Sequence, residues 1–245
     1  MSRRYDCADP AERAEGIEQA VAAVRGGKLI VLPTDTVYGL GADAFDRSAV
    51  TDLLLAKGRG RDMPPPVLVG SVRAGMALID DLGTYGRDLI SEFWPGGLTL
   101  VCRATPTLSW DLGDTKGTVA VRMPLHPVAL EVLKETGPLA VSSANRSGLP
   151  SATTAAAAEE QLGDAVSVYL DGGVCASSLA STIIDLTGDV PRLLRAGAIS
   201  LDKIREVAAV AGLEERDPAH AGPEEPDEPA EPEPDQATAD SSPPE

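Results

Sequence analysis

Short apolar runs alternate with amphipathic stretches along most of the chain. Residues 11–25 place apolar side chains at helical spacing, and a glycine pair ends that pattern. Residues 28–32, Lys28 followed by four apolar residues, form a short run that is cut off by Pro33, which predicts a short strand. The same alternation predicts further helices at 47–57, 85–93, 127–134, 154–162 and 200–209, and strands at 66–69, 98–103, 119–122, 139–141, 166–170, 182–186 and 192–194.

This order of elements predicts a single mixed α/β domain over residues 1–213, in which helices flank a β-sheet. Residues 214–245 are rich in proline, glutamate and aspartate and contain few apolar side chains besides alanine. Such a segment buries too little surface to offset the entropy lost on ordering, so we expect a disordered acidic tail.

The charge of the chain is concentrated in that tail. Residues 214–245 hold twelve acidic residues and one arginine, a net −11 of the total −17, which leaves −6 for residues 1–213. The predicted domain is therefore only mildly acidic, and the acidic balance of the whole chain says little about its binding surfaces.

Cysteines and apolar runs indicate the compartment. The three cysteines show no C-x-x-C spacing, which disfavours a zinc site or a disulfide framework. The chain has neither the ~20-residue apolar run of a membrane span nor the apolar core of a secretory signal. We expect a cytoplasmic protein without a membrane partner.

Several familiar catalytic signals are missing from the sequence. There is no G-x-x-x-x-G-K-[ST] motif, and the G-x-G at Gly39 and Gly41 is followed by Ala44 instead of the third glycine of a dinucleotide fingerprint. The two histidines are His126, placed before Pro127 at a predicted helix start, and His220 in the tail. A histidine-based hydrolase is disfavoured, and we expect chemistry that depends on positioning and charge.

Polar side chains follow the predicted strand at 28–32. Thr34, Asp35 and Thr36 supply two hydroxyls and a carboxylate, and Gly39 and Gly41 come soon after. The segment is consistent with a backbone that folds closely over a ligand, and equally with a turn whose side chains cap backbone groups.

Three cations occur within five residues at the end of the predicted helix 47–57. Lys57, Arg59 and Arg61 are separated by glycines, an arrangement that lets the charged groups converge on a polyphosphate. Lysine and arginine also favour helix C-termini through the helix dipole, which would explain Lys57 but does not require Arg61.

A serine- and asparagine-rich segment, residues 141–148, follows the predicted strand 139–141. Its hydroxyl, amide and backbone N–H groups could surround an anion, and the alternative is an ordinary polar loop.

Five motifs in order resemble the YrdC/TsaC family of L-threonylcarbamoyladenylate synthases. They are PTDTVYGLG at 33–41, KGR at 57–59, SAN at 143–145, STIID at 181–185 and LLRAG at 193–197. The resemblance runs from about the first predicted helix to the helix after Arg195. It implies a YrdC-like α/β fold, a twisted mixed β-sheet with flanking helices and a concave basic face.

The resemblance also implies an activity. L-threonine, bicarbonate or CO2, and ATP would give threonylcarbamoyl-AMP and pyrophosphate. A downstream tRNA threonylcarbamoyl-transferase complex would then form N6-threonylcarbamoyladenosine at position 37 of tRNAs that read ANN codons, with at most a weak tRNA contact by this chain. Mg2+ is expected to accompany ATP, without a tightly bound metal held by protein ligands.

Site residues follow from the matched motifs. The resemblance assigns catalysis to Lys57, Arg59, Ser143 and Asn145. It assigns ATP binding to Lys57, Arg59, Val141, Ser143, Ser151 and Arg195, and L-threonine binding to Thr34, Thr36, Arg61, Arg122 and Ser181.

One departure from the family pattern lies after the KGR motif, where many relatives read Lys-Pro-Leu and this chain has Met63 followed by three prolines. The assignment of Arg61 depends most on this loop. We also expect the short form of the family, in which an acidic tail takes the place of a second globular domain.

Three alternatives stay open at this stage. An RNA-binding module of the same fold without synthase activity would need a basic stripe with interleaved aromatics, and aromatics make up only 3% of the chain. A carbamoyl transferase related to hydrogenase-maturation proteins would carry zinc-finger cysteines. A paralogue that lost the activity would keep only the fold.

Overall fold

The computed structural model describes residues 2–208 and the backbone of residues 214–215. Seven α-helices lie in this part of the chain: α1 Pro10–Arg25, α2 Arg47–Lys57, α3 Val72–Leu78, α4 Gly86–Phe93, α5 Pro127–Thr136, α6 Ala155–Leu162 and α7 Leu201–Ala208. A short 3-10 turn, Gly163–Ala165, follows α6. The predicted helices are confirmed, and α3 is an additional one.

Twelve strands lie in the same described part of the chain. They are β1 Arg3–Asp6, β2 Ile30–Leu32, β3 Gly39–Asp43, β4 Val67–Leu68, β5 Ile79–Asp81, β6 Leu98–Ala104, β7 Thr118–Arg122, β8 Leu139–Ser143, β9 Val168–Asp171, β10 Thr182–Asp185, β11 Arg192–Arg195 and β12 Glu214–Glu215. The eight predicted strands are all present.

All twelve strands belong to one mixed sheet. Its order is β1-β9-β2-β3-β8-β4-β7-β6-β10-β11-β12, and β5 pairs with β6 beside this path. Parallel pairs such as β1 with β9 and β6 with β10 occur together with antiparallel pairs such as β3 with β8. The predicted mixed α/β fold is therefore confirmed.

The strands that sequence reasoning missed have weak apolar patterns. In β1 only Tyr5 is buried, and β3 consists of two glycines with Leu40, Ala42 and Asp43. The predicted tail, 214–245, lies outside the described residues except for β12, whose backbone pairs with β11.

Helix α2, which leads into the candidate site, begins and ends at well-defined caps. The Asp46 carboxylate accepts hydrogen bonds from the backbone N–H groups of Ser48 and Ala49, which satisfies two free donors of the first turn. Gly58 ends the helix in the left-handed conformation at φ 70°, which glycine adopts without steric cost. The last helical residue is therefore Lys57.

Both faces of the central strands are covered. In β2, Ile30 and Leu32 pack with residues of α1 and α5, whereas Val31 points to the opposite face, where α2 and α6 pack. Burial on both faces explains why residues 29–32 are continuously apolar and do not alternate with polar residues. A third cluster of apolar side chains surrounds α3, α4 and α7 beside β6 and β10.

Candidate active site

The antiparallel pairing of β3 with β8 brings two of the sequence motifs together. Gly39 lies opposite Ser143, and Gly41 lies opposite Val141. A side chain at position 39 would have its Cβ 2.6 Å from Cγ1 of Val141, so only glycine fits without a shift. Gly39 and Gly41 lie in a strand, where they make room for core side chains, and the contact of this segment with a ligand stays a prediction.

Lys57 is turned inward from the last turn of α2 and is only 1% exposed. Its Nζ donates to the backbone oxygens of Ser143 at 2.7 Å and Asn145 at 2.8 Å, and it lies 3.1 Å from Asn145 Oδ1 and 3.3 Å from Ser143 Oγ. These neutral oxygens orient the ammonium group and do not themselves neutralise its charge. The structure therefore brings together Lys57, Ser143 and Asn145.

The amide of Asn145 is fixed by its own contacts. Its Nδ2 donates to the backbone oxygens of Arg146 and Leu149, which leaves Oδ1 to face Lys57. Asn145 thus links the turn after β8 to the end of α2. The SAN segment is consequently an ordered turn.

Arg59 lies against the same turn from the other side of Gly58. Its Nε donates to Ser147 Oγ at 3.0 Å, and its Nη1 lies 3.3 Å from Ser142 Oγ. The predicted K-x-R and S-x-N groups therefore share one region. A guanidinium held by hydroxyl groups can exchange these contacts for phosphate oxygens, which bind arginine more strongly.

A second cluster surrounds the loop after β2. Thr34 Oγ1 lies 3.0 Å from Thr36 Oγ1 and donates to the Val37 backbone oxygen. Arg122, at the end of β7, donates from Nη1 to Thr36 Oγ1 at 2.9 Å and from Nη2 to Asp35 Oδ1 at 2.7 Å. Loop and strand are thus joined by a buried ion pair.

Burial lowers the pKa of Arg122, and the adjacent Asp35 carboxylate opposes that shift. Arginine stays charged in proteins, so Arg122 remains a guanidinium cation beside two threonine hydroxyls. Such a group suits the carboxylate of an amino acid. The Asp35 carboxylate is further occupied by the backbone N–H of Leu125 at 2.8 Å.

A third cluster lies at the start of β10. Ser181 Oγ is 2.8 Å from Thr99 Oγ1, and Arg195 Nη2 lies 3.1 Å from the same Ser181 oxygen. Gly97 connects this cluster with the previous one. Its backbone oxygen accepts from Thr182 N–H, and a Cβ at position 97 would lie 3.6 Å from Thr36 Cγ2.

Three predicted site residues have no place in these three clusters. Val141 is a buried core residue of β8. Ser151 is half-buried in the following loop, next to Ala152, whose oxygen accepts from Tyr38 N–H. Arg61 is exposed and binds Asp111, with Nη2 to Oδ1 at 2.7 Å. The assignments of these residues to ATP and L-threonine stay predictions.

Sequence reasoning missed two residues of the site. Ser142 meets Arg59, and the buried Thr99 meets Ser181. Thr99 occurs in the apolar strand sequence LTLV, where a buried hydroxyl is a signal because it needs a partner. Ser142 immediately precedes the matched motif.

The sulfur and imidazole groups show no activation. Burial raises the pKa of the Cys7 thiol to about 11 and that of Cys102 to about 12, so both are protonated near neutral pH. His126 precedes α5 as its cap residue, as predicted, and burial lowers the pKa of its imidazole. Its Nδ1 is buried without a hydrogen-bond partner among the described residues.

Within residues 2–208, no group of three histidine, cysteine, aspartate or glutamate side chains is arranged to hold a metal ion. In the same part of the chain, no helix has the length and apolar character to cross a membrane.

With this geometry established, a family model decides the classification. The model for Sua5, YciO and YrdC proteins, described as telomere recombination, matches residues 22–197. The chain belongs to the Sua5/YciO/YrdC family. All three polar clusters lie within the matched range.

Relatives of this family match over most of the chain. A Mycobacterium leprae protein, provisionally named a threonylcarbamoyl-AMP synthase, is 58% identical over 210 residues, covering 86% of this chain and 96% of its own length. The threonylcarbamoyl-AMP synthase of Pseudomonas putida is 34% identical over 178 residues, covering 72% of this chain and 96% of its own.

A solved structure gives the same fold. The Sua5 protein of Pyrococcus abyssi, crystallised in complex with L-threonine, superimposes with a TM-score of 0.81 at 35% identity. The match covers 88% of this Sua5/YciO/YrdC chain and 62% of the P. abyssi protein. The expected YrdC-like fold is thereby confirmed.

Proposed function

We propose that this chain is an L-threonylcarbamoyladenylate synthase, which condenses L-threonine, bicarbonate or CO2, and ATP to threonylcarbamoyl-AMP and pyrophosphate. One observation carries the proposal above the others. The pairing of β3 with β8 places the turn held by Lys57 next to the strand that follows the Thr34–Thr36 loop. Family membership and the names of the relatives agree with this activity.

The chemistry needs positioned charge more than a base. A carbamate oxygen is already an anion when it attacks the α-phosphorus of ATP, so it requires no deprotonation. The barrier comes from bringing two anions into line and from charge on the departing pyrophosphate, which cations reduce. Lys57 and Arg59 would lie on the phosphate side of this reaction. Ser143 and Asn145 would orient Lys57, and Ser142 and Ser147 would orient Arg59.

L-threonine would bind at the second and third clusters. Arg122 offers a guanidinium for its carboxylate, and Thr34, Thr36 and Ser181 offer hydroxyls for its polar groups. Gly97 accepts from Thr182 N–H of the third cluster and lies near Thr36 of the second, so the two clusters are neighbours. Arg195 donates to Ser181 from the neighbouring strand and would serve the nucleotide side.

The remaining components belong to the same proposal. Mg2+ would arrive with ATP and stay bound to phosphate oxygens, its preferred ligands. A separate transferase complex would take the adenylate and modify tRNA, and this chain would contact tRNA weakly at most. The reaction would take place in the cytoplasm, where its substrates and tRNA are found.

Product analysis tests the function directly. Purified chain is incubated with ATP, Mg2+, bicarbonate and L-threonine, and the products are separated and identified by mass spectrometry. Threonylcarbamoyl-AMP and pyrophosphate are expected only when all substrates are present, and not with Lys57→Met. A folded sample that leaves ATP intact contradicts the proposal, and RNA binding by that sample would then support a binding module.

A further inference from the structure

One carboxylate at the surface holds two guanidinium groups. Asp111 accepts from Arg61 at 2.7 and 3.2 Å, in a two-point arrangement, and its second oxygen lies 2.9 Å from Arg47 Nε. These contacts lower the pKa of the Asp111 carboxyl. The Arg61 guanidinium is thus held by the side chain of Asp111.

The loop that contains Asp111 and the segment that contains Arg61 also contact each other through backbone atoms. Arg61 oxygen accepts from Asp114 N–H at 2.8 Å, and Gly113, at φ 107°, approaches so closely that a Cβ there would lie 2.6 Å from that oxygen. The loop between β6 and β7, residues 105–117, is therefore fastened to the segment after α2, residues 58–64. The Trp110 ring of the same loop stacks on Phe45, which precedes α2, with centroids 5.5 Å apart.

The opposite side of segment 58–64 faces the candidate site. Arg59 reaches Ser142 and Ser147, whereas Arg61, two residues later, reaches Asp111. The segment thus spans from the site to the 105–117 loop and is held at both ends.

We infer that Asp111 is a positioning residue for ATP binding, which acts by fastening Arg61 and so restricting the segment that carries Arg59. The inference rests on the proposed function, because it takes Arg59 to bind the phosphates of ATP. In this inference Arg61 holds segment 58–64 in place and does not contact L-threonine directly.

The expected effect is moderate because the contacts are exposed. Exposed ion pairs are individually weak and are screened by salt. Releasing them frees segment 58–64, and Arg59 must then lose more conformational freedom on meeting phosphate. Asp111→Asn is expected to raise the KM for ATP about twofold to fivefold at low salt, with a smaller change in kcat and no change in the KM for L-threonine.

Steady-state kinetics on the full chain test this with three variants: Asp111→Asn, Arg61→Gln and the double variant. The matched control is Glu15→Gln, which breaks the exposed two-point pair of Glu15 with Arg3 in another part of the fold. The two single variants are expected to raise the KM for ATP alike, and the double variant to raise it no further than either. The differences in this KM from wild type are expected to shrink in 0.5 M salt. The control should behave as wild type.

Other results overturn the inference. If Arg61→Gln raises the KM for L-threonine while Asp111→Asn does not, then Arg61 contacts substrate and Asp111 does not act through it. Equal effects of Asp111→Asn and Glu15→Gln would show only a general charge effect. Additive single variants would show that the two residues act separately.

Hydrogen exchange separates this inference from the proposed function. If wild-type protein forms no threonylcarbamoyl-AMP, the proposed function fails, but exchange of the amides in 58–64 can still be measured without substrates. Faster exchange there in Asp111→Asn, with unchanged exchange in α1, supports the fastening. Unchanged exchange in 58–64 overturns it.

Discussion

Lys57 and Arg61 are both cations and lie four residues apart, yet the fold treats them in opposite ways. Lys57 is 1% exposed and donates to oxygens of Ser143 and Asn145, whereas the Arg61 side chain is 49% exposed and is paired with Asp111. Arg122 resembles Lys57 in its burial, and Arg47 resembles Arg61 in its exposure. We call Lys57 and Arg122 the inner cations and Arg47 and Arg61 the outer cations.

The comparison shows that position in the fold decides what a cation can do. An inner cation acts in a medium where charge is poorly screened, so its field reaches a bound anion at high strength. An outer cation is surrounded by water and salt, which screen its charge, so its pairing contributes little to stability. We therefore expect catalysis to depend on the inner cations and loop placement to depend on the outer ones.

The largest effect is expected for Lys57→Met. Loss of the ammonium removes charge from the phosphate side, so kcat/KM should fall about 100-fold or more. The oxygens of Ser143 and Asn145 would lose their donor, which is expected to lower the free energy of unfolding by about 1–3 kcal/mol. Product formation and urea denaturation measure the two effects.

The matched control for that variant is Lys134→Met. Lys134 also occupies the last turn of a helix, α5, but it is exposed. It should keep wild-type activity and stability. Near wild-type turnover by folded Lys57→Met would remove the inner lysine from the mechanism.

A loss of stability is the main effect expected for Arg122→Met. The Asp35 carboxylate would stay largely buried without its guanidinium, which costs about 3–5 kcal/mol in comparable pairs. Chemical denaturation should show this loss, and the double variant Asp35→Asn/Arg122→Met should recover part of it. No recovery would mean that packing of the arginine, and not the ion pair, supports the loop.

Arg59→Lys tests the region between inner and outer cations. The change keeps the positive charge but removes the two-point contact with Ser142 and Ser147, so the KM for ATP should rise about tenfold. Arg25→Lys, which alters an exposed contact with the Glu135 oxygen, is the control. An unchanged KM in Arg59→Lys would show that charge alone is sufficient at this position.

The smallest effect is expected for Arg47→Gln. This side chain is 75% exposed, and its partner Asp111 keeps Arg61. We expect a change in the free energy of unfolding below about 0.5 kcal/mol and a change in the KM for ATP below about threefold. A tenfold rise would mean that the outer cations contribute far more than exposed pairs usually do.

The local parts of this arrangement could be predicted from the sequence. The apolar spacing of α2 and the glycine after Lys57 are contiguous signals, and the helix ends where they indicate. Strand β3 could not be predicted in this way, because its glycines remove the apolar pattern. Their reason lies in Val141, about a hundred residues away.

The difference between Lys57 and Arg61 is also non-local. Ser143 and Asn145, which hold Lys57, come 86 and 88 residues later, and Asp111 lies 50 residues from Arg61. A run of cations at a helix end looks the same whichever partners the sheet brings near. The family resemblance supplied the assignment of Lys57. The pairing of Arg61 with Asp111 is visible only in the structure, because no motif contains it.

The fit of Gly39 against Val141 has a consequence for how this family can change over time. Because a Cβ at position 39 would overlap the valine, an alanine there becomes tolerable only if position 141 first becomes smaller. The two positions should therefore vary together among related proteins. Gly39 also pairs with Ser143. Such paired substitutions would change core side chains while the β3–β8 register, which places Ser143, is retained.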